Sequence, residues 1–407
     1  MPLDSVVPVS FQQNIAFTPE RGNTWDFVAE LQMDHDFDGD KMVNMQECCQ
    51  GPAPPHRRSW SSRRRCVLFA VLALSTLLFC CSRNLDDVAS YRTSQLWMRY
   101  PASTWWTPWK SLIGDNVALP EVLFTVSPGQ NPYVVAYPHP YRFILNQAKK
   151  CEEQKPFVAL VVPVAPHNRQ HRDIIRRTWG GQTLVSGKAV TLFFLLGLHT
   201  GEALPHMEEQ LRQESAEHQD LIQSDFQDCY MNLTIKTMVM LEWLDSYCSE
   251  ASYAMKIDSD MFLNVPNLIR MLSDAPKTNY MTGLVESEAA VRRDPTSKWY
   301  LPVDIYPKAM YPSYALGLGY VVSLDLPRKL VEASRHVRAI YIEDVYLGLC
   351  MEYLNIPPTH PPKWDDFQVL PAPYNRCFYS RLVATTLDQN TDLVGLWQDL
   401  NQAGNSC

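Results

Sequence analysis

Hydrophobic positions follow two regimes along this chain. Cys66 to Cys81 (CVLFAVLALSTLLFCC) is a run of sixteen residues with no charge and no polar stripe, unlike a helix lying on a globular core, which keeps one polar face. A membrane-spanning helix takes about 20 apolar residues. Such a helix either suits a thin membrane or borrows interfacial length from Arg64, Arg65 and Ser82, and the run predicts a signal anchor over residues 66–82. Past Cys151 the texture changes to short apolar runs separated by segments with helical spacing. Phe157–Val164 (FVALVVPV) and Ala189–Leu196 (AVTLFFLL), the latter ending at Gly197, predict strands buried on both faces. His171–Trp179, Glu208–Glu217 and Leu233–Tyr247 predict helices, the last long and amphipathic, followed by a strand over Tyr253–Ile257. Strands alternating with helices predict an α/β fold whose central sheet is mostly parallel and covered on both faces.

Charge orients the anchor. Arg63, Arg64 and Arg65 crowd one end and only Arg83 marks the other, and basic residues stay on the cytoplasmic side. The expected plan is a single-pass type II membrane protein. Residues 1–65 form a cytosolic tail, polar, acidic and disordered, 83–137 a Trp- and Pro-rich stem, and 138–407 a lumenal folded domain. A cleaved signal peptide would start near the N-terminus and end in a small-residue site, and neither holds here. Asp34, Asp36, Asp38 and Gly39 open like a calcium loop, but Met45 stands where a bidentate Glu is required. With 46% hydrophobic and 20% charged residues and a formal net charge of −8, the chain carries no nucleic-acid footprint. Six of the eleven cysteines (Cys151, Cys229, Cys248, Cys350, Cys377 and Cys407) follow the stem, in a compartment where disulfides persist. Six cysteines allow fifteen complete pairings and the sequence chooses none. Asn232-Leu233-Thr234 is a glycosylation sequon that faces the lumen on this topology.

Ligands of such sheets bind beyond the carboxyl ends of the strands, so the residues there are the candidates for chemistry. Asp258 and Asp260 follow the strand ending at Ile257. In extended backbone, residues two apart point the same way, and two close carboxylates call for a cation between them. Mn²⁺ or Mg²⁺ held by carboxylate and phosphate oxygens meets that need, whereas a capped loop is the plainer reading. Glu343 and Asp344 stand where the apolar Ile340-Tyr-Ile turns into a helix. They suit either a general base or simple capping of the helix N-terminus. Arg172 and Arg176, four apart, share a helical face that either clamps a diphosphate or is merely solvated. Lys236 is a further phosphate contact or a surface charge, and Trp179 reads as core.

Taken in order, these blocks resemble the β1,3-glycosyltransferase family, most of all its β1,3-galactosyltransferase branch. The matching segments include Arg172-Asp-Ile-Ile-Arg176-Arg-Thr-Trp179-Gly180, Asp225-Phe-Gln-Asp228-Cys-Tyr230-Met-Asn232-Leu-Thr-Ile-Lys236, Lys256-Ile-Asp258-Ser-Asp260-Met-Phe262, Ser297-Lys-Trp299-Tyr300, Tyr311-Pro-Ser-Tyr314, Gly317-Leu-Gly319-Tyr320 and Glu343-Asp344-Val345. The resemblance implies a GT-A type nucleotide-sugar-binding fold in the Golgi membrane. Its reaction would be inverting transfer of galactose from UDP-galactose to the 3-hydroxyl of a GlcNAc-terminated glycan. It further implies Asp344 as base with Glu343 beside it, Asp260 on Mn²⁺, and Asp258 on the nucleotide sugar. Arg172, Arg176, Asp225 and Lys236 would lie near the nucleotide, Trp299, Tyr300 and Tyr311 would face sugar, and homo- or hetero-oligomers with other transferases would be admissible. Three departures stand out. Thr386 occupies the place of the family's metal-ligand His, Ala315 and Leu316 replace a usual Cys-Ser, and Cys229 replaces a usual Ser. The alternatives are β1,3-N-acetylglucosaminyl transfer, a weak or non-catalytic glycan-binding or escort domain, and a metal-dependent hydrolase that frees sugar without an acceptor.

Overall fold

The computed structural model describes residues 131–199, 204–402 and 407. The anchor expected over 66–82, the tail over 1–65, the calcium-like loop and the stem up to residue 130 lie outside them. Among the described residues no helix is long and apolar enough to cross a membrane.

Eleven strands run in chain order among the described residues: β1 (Phe143–Leu145), β2 (Val158–Pro163), β3 (Leu184–Val185), β4 (Lys188–Leu198), β5 (Leu221–Gln227), β6 (Tyr253–Ile257), β7 (Met261–Leu263), β8 (Met281–Glu286), β9 (Tyr314–Ser323), β10 (Phe367–Gln368) and β11 (Ala384–Thr386). The helices are α1 (Lys150–Gln154), α2 (Arg169–Arg177), α3 (Leu204–His218), α4 (Leu233–Tyr247), α5 (Val265–Ser273), α6 (Leu326–Ala333), α7 (Glu343–Leu354), α8 (Arg376–Tyr379) and α9 (Leu393–Leu400). The main sheet has the order β1-β5-β4-β2-β6-β9-β8, with β3 added beside β4. Its centre, β5-β4-β2-β6, is parallel. Antiparallel pairs of β1 with β5 and of β9 with β6 and β8 close the two flanks. A small second sheet, β10-β11-β7, packs close to the end of β6.

Period-two alternation sorts the central strands between two cores. Val158, Leu160 and Val162 of β2 join Tyr253, Met255 and Ile257 of β6 on the face covered by α2 and α5. Ala159, Val161 and Ala254 face α4, α6 and α7. Because both faces are covered, apolar residues occupy both parities of β2 and β6, as their sequence predicted, with Lys256 the one charged exception. Helix α4 departs from expectation. Thr234 to Leu241 are all buried, as are Trp243 and Leu244, so it is an interior helix, not an amphipathic surface one. The packed unit also begins before Tyr137. Val135 donates its N–H to Ala339 at 3.0 Å, and the buried Tyr137 hydroxyl donates to Glu242.

Two disulfides between described residues pin this unit. Cys151 on α1 bonds Cys248 at the end of α4, and Cys377 bonds Cys407. Cys350 on α7 remains a buried free thiol, and Ala315, where a cysteine is usual, is buried on β9 against which α7 packs. That packing is close. A Cβ at Gly348 would lie 2.7 Å from Tyr314 Cβ and 3.1 Å from the Ser313 carbonyl. On an open helix Gly→Ala gains about 1 kcal/mol. Here Gly348→Ala is expected to destabilise by about 1–3 kcal/mol, because backbone and not a flexible side-chain tip stands in the way. A urea unfolding curve checks the sign.

Candidate active site

Strand parity starts the site. Lys256 lies on the Ala254 face of β6, toward α4 and α7, and Asp258 continues that face just past the strand. The backbone then turns, with the Met261 N–H donating to the Asp258 carbonyl at 3.3 Å. The Asp258–Asp260 segment is thus a tight turn and not the extended run its spacing suggested. Lys256 is buried, and its ammonium pairs with Asp258 Oδ1 at 2.6 Å and Glu343 Oε1 at 3.2 Å. It also donates to the Gly317 carbonyl on β9.

The acids at 343 and 344 form the first turn of α7, where exposed N–H groups favour negative charge. Asp344 Oδ1 accepts the Val345 N–H at 2.8 Å, and Oδ2 reaches across to the Gly317 N–H at 2.9 Å. One Asp344 oxygen thus satisfies a first-turn N–H of α7 while the other holds a different element, β9. Glu343 is buried, its Oε2 accepting from the Thr237 hydroxyl at 3.2 Å. One turn earlier on α4, the buried Thr234 hydroxyl donates to the Ile340 carbonyl at 2.7 Å and fixes the approach to α7.

Crowding of carboxylates in this pocket controls their proton affinity. Burial pushes Glu343 up to about 7, with Lys256 pulling the other way and Asp344 and Asp258 adding repulsion. Burial also raises Asp258, and the charges of both Asp260 and Asp344 add to it against Lys256. Asp258 therefore feels the charges of both Asp260 and Asp344, and its side chain is 39% exposed, so the neighbourhood opens to solvent. Burial raises Asp344 too, opposed by the Gly317 and Val345 N–H groups and by Lys256, which makes it a better proton acceptor than an ordinary Asp. Through Glu343 the native state holds more protons than the unfolded chain between about pH 4.5 and 7, so its contribution to stability falls as pH rises through that window. The stability of the wild type minus that of Glu343→Gln is expected to decline across this range and level off above it. Denaturant titrations at several pH values check this, and a flat difference would contradict it.

Other candidates fall elsewhere. Arg172 and Arg176 share a face of α2, as predicted, but that face meets carboxylates. Arg172, 1% exposed, grips Glu214 through Nε and Nη2 at 2.7 Å each and donates Nη1 to the Ala165 carbonyl. Arg176 forks onto Asp220 at 2.8 Å and also binds Glu214 and Asp173. Neither guanidinium is free to clamp a diphosphate, which corrects that reading. Lys236 is buried, ion-paired to Asp228 at 2.8 Å and hydrogen-bonded to the Val164 carbonyl at 3.1 Å, while Asp228 also accepts the Gly197 N–H. It thus ties together the carboxyl ends of β2, β4 and β5 and is no surface charge. Asp225 is exposed on β5 and accepts the Arg142 N–H near β1. Trp179 is core, its indole donating to the Met261 carbonyl at 3.1 Å.

The aromatics divide. Tyr300 stacks edge-on against Tyr133 at 5.4 Å. Trp299 lies beside Tyr230, whose own hydroxyl feels the charges of Asp344, Asp258 and Glu343. The Tyr311 hydroxyl is buried without a partner among the described residues and lies within the field of Asp344. Asn232 is half-buried, donating to the Gln227 carbonyl at 2.9 Å. Since Thr234 is fully buried, a glycan at Asn232 has to be attached before α4 packs. Lys256, Gly317, Asp228 and Tyr230 had no role assigned from sequence, although the lysine two residues before the first aspartate was a usable signal once strand parity is applied.

Among the described residues no three His, Cys, Asp or Glu side chains assemble a metal site by themselves. Asp260 is exposed, one oxygen of Asp258 is left over by Lys256, and Thr386 sits on β11 opposite Met261, its neighbour Leu387 donating to the Asp260 carbonyl at 3.0 Å. Such hard oxygen donors fit a cation that arrives with phosphates and keeps several waters. They do not make a closed protein cage.

The profile of the family described as Galactosyltransferase matches residues 170–362. The chain is 38% identical to β-1,3-galactosyltransferase 2 of Homo sapiens over 265 residues, 64% of this chain and 63% of that protein. It is 36% identical to β-1,3-galactosyltransferase 1 of Mus musculus over 267 residues, 65% of this chain and 80% of the relative. It thus spans less than two thirds of the length of the β-1,3-galactosyltransferase 2 relatives.

Proposed function

This chain belongs to the galactosyltransferase family, and we propose that it transfers galactose from UDP-galactose, with inversion, to the 3-hydroxyl of a GlcNAc-terminated acceptor. The observation that carries this reading is Asp344, a carboxylate of raised proton affinity held by two backbone N–H groups in the same neighbourhood as Asp258 and Asp260. Asp344 takes the proton of the acceptor hydroxyl as its oxygen bonds to the anomeric carbon and the bond to the UDP oxygen breaks. The Gly317 and Val345 N–H groups hold both carboxylate oxygens, so the base is aimed before substrate arrives. Asp258 contacts the nucleotide sugar, and Mn²⁺ held by Asp260 and the donor phosphates would offset charge on the leaving UDP. Tyr311, with its buried unpartnered hydroxyl, and Trp299 beside Tyr230 face the acceptor sugar. The architecture is of the GT-A type, and the domain works in the Golgi lumen behind the anchor at 66–82.

A donor panel tests the reading. Purified protein with Mn²⁺ should consume UDP-galactose in preference to UDP-GlcNAc, and only when a GlcNAc-terminated acceptor is present. Preference for UDP-GlcNAc would assign the sibling activity, release of free sugar without acceptor would indicate a hydrolase, and no turnover of either donor would leave a binding or escort domain.

A further inference from the structure

We propose that Lys256 is a positioning residue for this transfer: its ammonium joins the donor-side turn at Asp258 to the acceptor-side base Asp344 through Gly317, so the two sides of the cleft keep one spacing. The inference rests on the proposed galactosyl transfer. An ammonium has three N–H donors and no acceptor, and here oxygens from three different elements surround it, the Gly317 carbonyl as hydrogen-bond acceptor and the two carboxylates as ion-pair partners. Asp258 Oδ1 belongs to the turn after β6, the Gly317 carbonyl to β9 and Glu343 Oε1 to the start of α7. Gly317 passes the constraint on, since its N–H donates to Asp344 Oδ2 at 2.9 Å. A side chain there would interfere: a Cβ would lie 3.0 Å from Glu343 Oε1 and 3.4 Å from Asp344 Oδ2.

Charge gives the same residue a second effect. Asp258, Glu343 and Asp344 crowd around one buried cation, and each repels the others. Asp258 and Glu343 flank the buried ammonium on two sides. Were the lysine only a packing element, apolar replacement of the buried pair would be tolerated. Its partners are instead Asp258, assigned to the donor, and Gly317, whose N–H holds the base. Lys256 need touch neither sugar, so it acts through Asp258 and Asp344.

The test is Lys256→Met in the full chain, read as kcat and as the pH–rate profile with UDP-galactose and a GlcNAc-terminated acceptor. Asp344 is faced by Lys256, by the Gly317 and Val345 N–H groups, by Glu343 and Asp258, and by Tyr230, Tyr311, Tyr314 and Tyr320. Of these the substitution removes only the cation. The expected result is a fall in kcat of about 100-fold together with an acid limb displaced upward by about one pH unit, since a lost positive neighbour raises a carboxyl group. A purely structural lysine would lower the amount of folded enzyme and leave the limb where it was, and that result overturns the proposal. Should Lys256→Met not fold, Lys256→Met/Glu343→Gln compared with Glu343→Gln alone removes the cation with its buried charge balanced. An unmoved limb and equal kcat in that pair overturn it equally. Wild-type protein that transfers nothing would instead sink the functional reading, a failure visible before any variant is made.

Discussion

Asp344→Asn is expected to lower kcat by about 10³-fold while leaving both KM values within about threefold, the pattern of a group needed in the transition state and not for binding. Asparagine is nearly isosteric, and its carbonyl oxygen can keep one of the two N–H groups now donated by Gly317 and Val345. What disappears is the proton acceptor. Folding should not suffer, because burial already raises the carboxyl of Asp344 and its charged form is held at a cost. Steady-state kinetics beside a thermal melt separate the outcomes. Loss of activity with an unchanged melt supports the base, whereas activity within tenfold of wild type would remove Asp344 from that role.

Arg172→Ala should act almost wholly on stability. Glu214 is 1% exposed and receives two 2.7 Å bonds from Arg172, and these, with Arg176, keep its carboxyl below the usual range although burial works against them. Removing one member of a buried pair destabilises by about 3–5 kcal/mol, since the remaining charge is left without compensation. The double variant Arg172→Met/Glu214→Leu should recover most of that loss, as Arg176 retains its fork on Asp220. Because the folded Glu214 carboxyl is depressed, its contribution is present above about pH 4.5 and is lost as acid protonates it below that. Urea unfolding of the single and double variants measures both effects. Weaker UDP binding at unchanged stability would return Arg172 to the nucleotide.

The comparison of these two residues shows how much of the molecule could be read from its amino acids. The strand over Tyr253–Ile257 and the helix over Leu233–Tyr247 have the limits their patterns suggest, because apolar runs between breakers are local signals. The mostly parallel, doubly covered sheet follows from the same alternation. The character of α4 was misread, since its environment depends on α6 and α7, which arrive about a hundred residues later. Arg172 and Arg176 were misread for a similar reason. Helical spacing puts them on one face, but only folding shows that Glu214 and Asp220 occupy it. Asp258 and Asp260 stood out as a pair, yet the lysine that organises Asp258 could be weighed only after β9 and α7 had brought Gly317 and Glu343 against it. Local period is written in the sequence. Which charge neutralises which is settled by contacts across long separations.

The most direct measurement is the anomeric configuration and linkage of the product, determined by NMR after incubating the purified protein with UDP-galactose, Mn²⁺ and a GlcNAc-terminated acceptor. The account predicts a single galactose joined β1,3, formed by the wild type and not by Asp344→Asn. An α-linked product, galactose joined through another hydroxyl, or equal product from the Asp344→Asn protein would contradict it.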